Sequence, residues 1–217
     1  ALKKITSEIT KPITCIIGGS KISTKIKIIS NLIKKFNNII IVGGMGNAML
    51  KNTGINIGKS ICDDGYRNLV KEILEKSKTY NCAIHYPLDV VVSQSLNGNG
   101  KIKENNKVSS DEMILDIGPK TIASIENIID KSNTVLWNGP AGYFENPDFR
   151  KGSSEIAKKI AERSKDNSFY SVAGGGDTIA VLNLTDTLKY LNFSSTAGGA
   201  FLEYLEGKEL PGIKALS

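Results

Sequence analysis

Residues 13–25 read Ile13-Thr14-Cys15-Ile16-Ile17-Gly18-Gly19-Ser20-Lys21-Ile22-Ser23-Thr24-Lys25. Five apolar or β-branched residues run into two glycines. Behind the glycines the period changes, with Ile22, Ile26, Ile29, Ile33 and Phe36 recurring at helical spacing. A buried strand, a tight turn and an amphipathic helix are therefore predicted in that order. The next unit repeats the scheme: Ile39-Ile40-Ile41-Val42 ends in Gly43-Gly44, with a short helix expected over 45–51.

Outward from this pair the alternation continues. Helices are expected over 64–78, from Gly118-Pro119 to 128, over 153–164, over 177–191 and over 199–205. Pro119 suits a helix start, where its missing N–H costs nothing. Strands are expected over 83–86, 89–92, 113–117, 134–137 and 169–173, and 97–106 reads as a hairpin or exposed loop. This pattern predicts an α/β fold: a doubly wound, Rossmann-like, mainly parallel sheet with helices on both faces, in three layers. Ligands in such folds sit beyond the carboxyl ends of the strands. Four of those ends carry glycine turns: Gly18-Gly19, Gly43-Gly44, Asn138-Gly139-Pro140 and Gly174-Gly175-Gly176.

The composition allows this. Of 217 residues 40% are hydrophobic, enough for a core, and no apolar run approaches a membrane span. No signal-peptide core follows Ala1-Leu2-Lys3-Lys4, so a cytoplasmic protein without membrane attachment is expected. The charge of +6 is modest and scattered, unlike the concentrated patch of a nucleic-acid binder. Cys15, Cys62 and Cys82 stand far apart, and His85 is the single histidine. Reduced thiols and no zinc cluster are the expectation, with His85 structural.

Two familiar nucleotide motifs fail. Gly54 to Ser60 falls one residue short of a P-loop and lacks its strand–loop–helix setting. Gly44-Met45-Gly46 starts a dinucleotide fingerprint, but Met49 stands where the last glycine belongs. Three other stretches carry chemistry. Gly18-Gly19-Ser20-Lys21 joins strand to helix, where backbone N–H groups favour anions, and Lys21 and Lys25 share one face. Each lysine alone also reads as a solvated surface residue. Gly174-Gly175-Gly176-Asp177-Thr178 makes a second such start; Asp177 is either a helix cap or a Mg²⁺ ligand beside a phosphate nest. In Trp137-Asn138-Gly139-Pro140 and Phe144-Glu145, Asn138 suits a phosphate and Glu145 ribose hydroxyls, while Trp137 alone is more often core. Gly43 and Gly44 would let a flat base lie on backbone. Together these residues describe a Mg-nucleotide site.

The motifs, in order, resemble phosphoglycerate kinase: Gly18 to Ile26, Gly43-Gly44-Met45, Leu115-Asp116-Ile117-Gly118-Pro119, Trp137 to Pro140, Gly174 to Thr178, Ser195-Thr196-Ala197-Gly198-Gly199-Ala200 and Leu205 to Gly212. The resemblance covers nearly the whole chain and implies the carboxyl-terminal, nucleotide-binding half of that two-domain, usually monomeric enzyme. Residues 1–12 would end the interdomain helix, and 13–217 would form the nucleotide domain. The amino-terminal domain for 3-phosphoglycerate would be absent, leaving the chain inactive alone. By the same resemblance Lys21, with the backbone at Gly175 and Gly198, forms the catalytic set. Lys25, Asn138 and the 175–178 backbone, including Gly176 and Thr178, hold phosphate. Gly43, Gly44, Leu115 and Pro140 line the adenine slot, Glu145 takes the ribose and Asp177 takes Mg²⁺. Departures from the family pattern are Ala197 for a glycine, Ile114 where a glycine often precedes Leu-Asp, a Val42-Gly43-Gly44 run one glycine short, and Asn47 in a neighbourhood commonly aromatic or threonine.

Overall fold

The computed structural model describes residues 10–20, 22–62 and 65–196, with the backbone alone for 22–24, 26 and 27. Of the interdomain helix end expected over 1–12, residues 1–9 lie outside them, while 10–12 are described and are not helical, Pro12 leading directly into the first strand; the helix expected over 199–205 also lies outside them. Six strands form one parallel sheet: β1 (Ile13–Ile17), β2 (Asn38–Ile41), β3 (Ala83–His85), β7 (Thr134–Asn138), β8 (Tyr170–Gly174) and β9 (Phe193–Ser195). Their order is β3-β2-β1-β7-β8-β9. The chain thus builds outward from β1 to β3, then returns to build from β7 to β9. The reversal falls between β1 and β7, where Ile17 pairs with Asn138.

Helices cover both faces. Cys15 and Ile17 of β1 point to one face, where helix α1 (Ile22–Leu32), α2 (Gly43–Asn52) and α3 (Arg67–Thr79) bury Ile29, Met45, Met49 and Ile73. Ile16 points to the other, against α4 (Pro119–Asp130), α5 (Lys151–Arg163) and α6 (Gly176–Leu184) through Ile125, Ile129, Ile156 and Val181. Every residue of β1 and β7 is buried, which explains their unbroken apolar reading. Among the described residues no helix is long and apolar enough to cross a membrane.

Two expected strands of the parallel sheet belong elsewhere. β4 (Asp89–Ser93) and β6 (Met113–Ile117) pair antiparallel with each other, and β4 also pairs antiparallel with β5 (Lys101–Glu104), in a separate three-stranded sheet. A parallel partner needs a crossover of a dozen residues or more, usually helical, and 94–112 carries no helical apolar pattern; an antiparallel partner needs only a hairpin. Of the two readings of 97–106, a hairpin or an exposed loop, the hairpin is present, with β5 as its second arm. This small sheet packs Val90, Val92 and Ile114 against Leu50 of α2. It thereby builds a wall beside the strand ends of the large sheet. The helix expected to reach 191 ends at Leu184; a 3-10 turn at Leu188–Tyr190 follows, then the unforeseen edge strand β9.

Candidate nucleotide site

At the reversal point three glycine turns hold one another by backbone alone. The Gly18 N–H donates to the Asn138 carbonyl (2.8 Å), Gly19 N–H to Pro140 (3.0 Å) and Gly43 N–H to Ala141 (3.1 Å). Gly139 has φ 93°, and a Cβ there would lie 2.2 Å from the Gly18 oxygen. No other residue fits that approach. The Lys25 ammonium donates to the Gly18 carbonyl (2.8 Å) at the same turn.

A cavity of about 440 Å³ opens on this knot. Six of the residues singled out in the sequence line it together: Gly43, Gly44, Leu115, Pro140, Glu145 and Asp177. They come from four separate stretches of chain, and β6 brings Leu115 across as the wall of the small sheet. Glu145 is exposed. Its loop is fastened by Arg150, whose guanidinium donates to the carbonyls of Phe144 (2.9 Å) and Glu145 (3.0 Å).

Asp177 is exposed in the first turn of α6, whose N-cap is Gly175 at φ 102°. Gly175 has no side chain to cap the Gly176, Asp177 and Thr178 amides, which lack intrahelical acceptors. Its own N–H donates to the Ser195 carbonyl (2.9 Å). Among the described residues no three His, Cys, Asp or Glu side chains converge. A cation here would be held by Asp177 and by ligand oxygens, a donor set that suits Mg²⁺ with a phosphate ligand.

One expected contact, that of Asn138, differs from the geometry. The Asn138 side chain is buried and does not line the cavity; its amide donates to the Gly174 carbonyl (2.6 Å) and ties β7 to β8 in place of an open phosphate donor. The Thr178 hydroxyl is likewise engaged, accepting from Gly139 N–H (2.7 Å) and donating to Gly174 (2.9 Å). Only the Thr178 backbone remains for a ligand. Trp137 is core, its indole N–H donating to the Gly139 carbonyl. His85 is structural, hydrogen-bonded to Asn38 at 3.2 Å, and burial pushes its pKa down. Lys21 and Gly198 lie outside the described residues.

Asn47, Ile61 and Asp116 are among the lining residues that had no assigned part. Asp116 is 1% exposed, and burial pushes its carboxyl up to about 7 against the pull of two amides, Gly152 N–H (2.8 Å) and Ile117 N–H (2.9 Å). An acid inside an apolar strand run was the available signal.

The sequence profile of the family described as Phosphoglycerate kinase matches residues 1–208. The chain belongs to the phosphoglycerate kinase family. It is 44% identical to the phosphoglycerate kinase of Zymomonas mobilis over 218 residues, covering 100% of this chain and 55% of that protein. For the phosphoglycerate kinase of Novosphingobium aromaticivorans the identity is 41%, with the same coverage. The solved structure of phosphoglycerate kinase from Coxiella burnetii matches with a TM-score of 0.92 at 39% identity, covering 100% of this chain and 56% of that one. That of Pyrococcus horikoshii matches at 0.83 and 26%, covering 99% and 54%. The chain spans about half the length of the curated phosphoglycerate kinases it matches.

Proposed function

We propose that this chain is the nucleotide-binding half of a phosphoglycerate kinase and holds ADP or ATP with Mg²⁺ in the cavity at the strand ends. The reaction it serves is the reversible glycolytic transfer between ATP and 3-phosphoglycerate. A carboxylate oxygen of 3-phosphoglycerate attacks the γ-phosphorus, the bond from that phosphorus to the β-phosphate oxygen breaks, and ADP and 1,3-bisphosphoglycerate result.

The observation that carries this reading is the meeting of Gly43, Gly44, Leu115, Pro140, Glu145 and Asp177 around one cavity. The base lies on the Gly43-Gly44 backbone against Leu115, and Glu145 accepts from the ribose hydroxyls. The phosphates run toward the start of α6 and the Gly18-Gly19 turn with Lys25. The Gly176 to Thr178 amides give them fixed donors. Asp177 would repel a phosphate at that helix start unless a cation stood between them, so the carboxylate there supports Mg²⁺. When bound, Mg²⁺ neutralises charge on the phosphate oxygens. The protein's own work is positioning and electrostatic stabilisation. Lys21 and the backbone at Gly198 enter through the resemblance, as the partners of the phosphoryl group in flight. A monomer in the cytoplasm accords with this function.

Calorimetric titration of the chain with Mg·ADP tests it. Binding is expected, and Asp177→Ala is expected to weaken it on the order of tenfold or more. A folded chain that binds no Mg·ADP would overturn the proposal. The 217 residues alone are expected to show no turnover in a coupled assay, because in-line transfer needs both reactants held and water excluded. A second reading is a split subunit or a non-catalytic remnant. Activity regained on mixing with a separate amino-terminal half would distinguish the split subunit.

A further inference from the structure

The loop that presents Glu145 to the cavity is held by backbone at its two ends and by one side chain in its middle. At the ends, Tyr143 N–H donates to the Leu115 carbonyl (2.7 Å) and Asn146 N–H to the Tyr143 carbonyl (3.2 Å). Between them the Phe144 and Glu145 carbonyls both accept from Arg150, from Nε at 2.9 Å and from Nη2 at 3.0 Å. Those two carbonyls belong to the peptide planes on either side of the Glu145 Cα. Each plane is rigid, and so is the guanidinium. Holding both planes on one guanidinium fixes φ and ψ of Glu145, and with them the direction of its Cα–Cβ bond.

Two features set Arg150 apart from a residue that serves only its own helix. It is the N-cap of α5, and the first turn of that helix contains no acid. A cation at a helix start opposes the dipole, and a small polar residue would cap it better. The guanidinium also meets the backbone oxygen of Glu145 and leaves the carboxylate alone. Among the described residues that carboxylate has neither a hydrogen bond nor an ion pair. A salt bridge between the two would have occupied the acid. As built, the backbone of Glu145 is fixed and its carboxylate stays open where the residue lines the cavity.

We infer that Arg150 is a positioning residue for ribose recognition: by gripping the two carbonyls that flank the Glu145 Cα, it holds the Glu145 carboxylate where the ribose hydroxyls arrive. Arg150 has this part only within the nucleotide function proposed above. It acts through Glu145, its Nε–H and one Nη–H being engaged by protein carbonyls.

The test is calorimetric titration of the full chain with Mg·ADP and with the Mg complex of 2′,3′-dideoxyadenosine 5′-diphosphate, which lacks both hydroxyls. The unaltered chain is expected to bind Mg·ADP about tenfold tighter. In Arg150→Met the ratio should fall to about threefold or less, chiefly through weaker Mg·ADP binding. Arg150→Lys keeps the charge without the planar fork and should lower the ratio as well, which keeps the test open if the Met variant does not fold. A full ratio in either folded variant would overturn the inference. In a Glu145→Ala background, adding Arg150→Met should change Mg·ADP affinity by less than about twofold. A loss there as large as in the unaltered background would show that Arg150 acts other than through Glu145, and would also overturn the inference. Equal binding of the two nucleotides by the unaltered chain would remove ribose selection and Arg150's part in it, while leaving the nucleotide function standing. Failure of both to bind would remove that function itself.

Discussion

Helices α4 and α5 begin differently from α6, and the contrast separates what holds the fold from what is left for a ligand. α4 has Gly118 as its N-cap, and its open amides are met from another strand: Asp89 of β4 accepts from Lys120 N–H (3.0 Å) and Thr121 N–H (2.8 Å), and from the Thr121 hydroxyl (2.7 Å). α5 is met in the same way by Asp116 of β6 through Gly152 N–H. Both carboxylates are 1% exposed. The start of α6 has Gly175, which offers no side chain, and its own acid Asp177 faces the cavity. The small antiparallel sheet thus carries the two buried acids that fasten α4 and α5. Among the described residues no side chain caps the amides of α6.

Breaking the closed starts should cost stability, and altering the open one should cost binding. The largest effect is expected for Asp89→Ala, which orphans two backbone amides, while the Thr121 hydroxyl keeps the Asp89 carbonyl (2.9 Å) as its acceptor. A loss of about 3 kcal/mol in urea unfolding is expected. A loss under about 1 kcal/mol would show that α4 does not depend on its remote cap.

Asp116 sharpens the comparison through pH. Its folded pKa lies above the unfolded carboxylate value, so the native state binds the extra proton between about 4 and 7. Its contribution to stability is fully present below the unfolded value and is lost as pH rises through about 7. Unfolding free energy should therefore fall across that window, and Asp116→Asn should flatten the profile. An unchanged slope in the variant would remove Asp116 as its source. The smallest effect is expected at the open start. Asp177→Ala should move the unfolding free energy by no more than about 0.5 kcal/mol, while affinity for Mg·ADP falls. A large stability loss there would make Asp177 a cap like the other two acids.

The first βα unit was legible because a fully buried parallel strand must be apolar throughout, and because its glycines stop it abruptly. The two sheets were not separable by the same signal. Val90-Val91-Val92 and Ile114-Leu115 are apolar runs like those of β1 and β2, and apolarity does not name a partner. β5, with Lys101-Ile102-Lys103-Glu104, and β9, with Phe193-Ser194-Ser195, are short edge strands exposed enough to carry little pattern. Within the site, the glycines, Leu115, Pro140, Glu145 and Asp177 stood out through their motifs. Asp116 stood in a motif without a role and Asn47 only as a departure, because an asparagine in a helix and an aspartate in a strand acquire a role only from what surrounds them.

By itself the sequence determined where strands stop, which turns carry glycine, the α/β class and, through its ordered motifs, the family. The tertiary structure decided which turns face each other and which acids close a helix start. These depend on backbone groups far apart in the chain, such as Gly18 N–H and the Asn138 carbonyl, meeting at hydrogen-bond distance. Local preference sets a segment's conformation, but contact and burial set what its polar groups can bind.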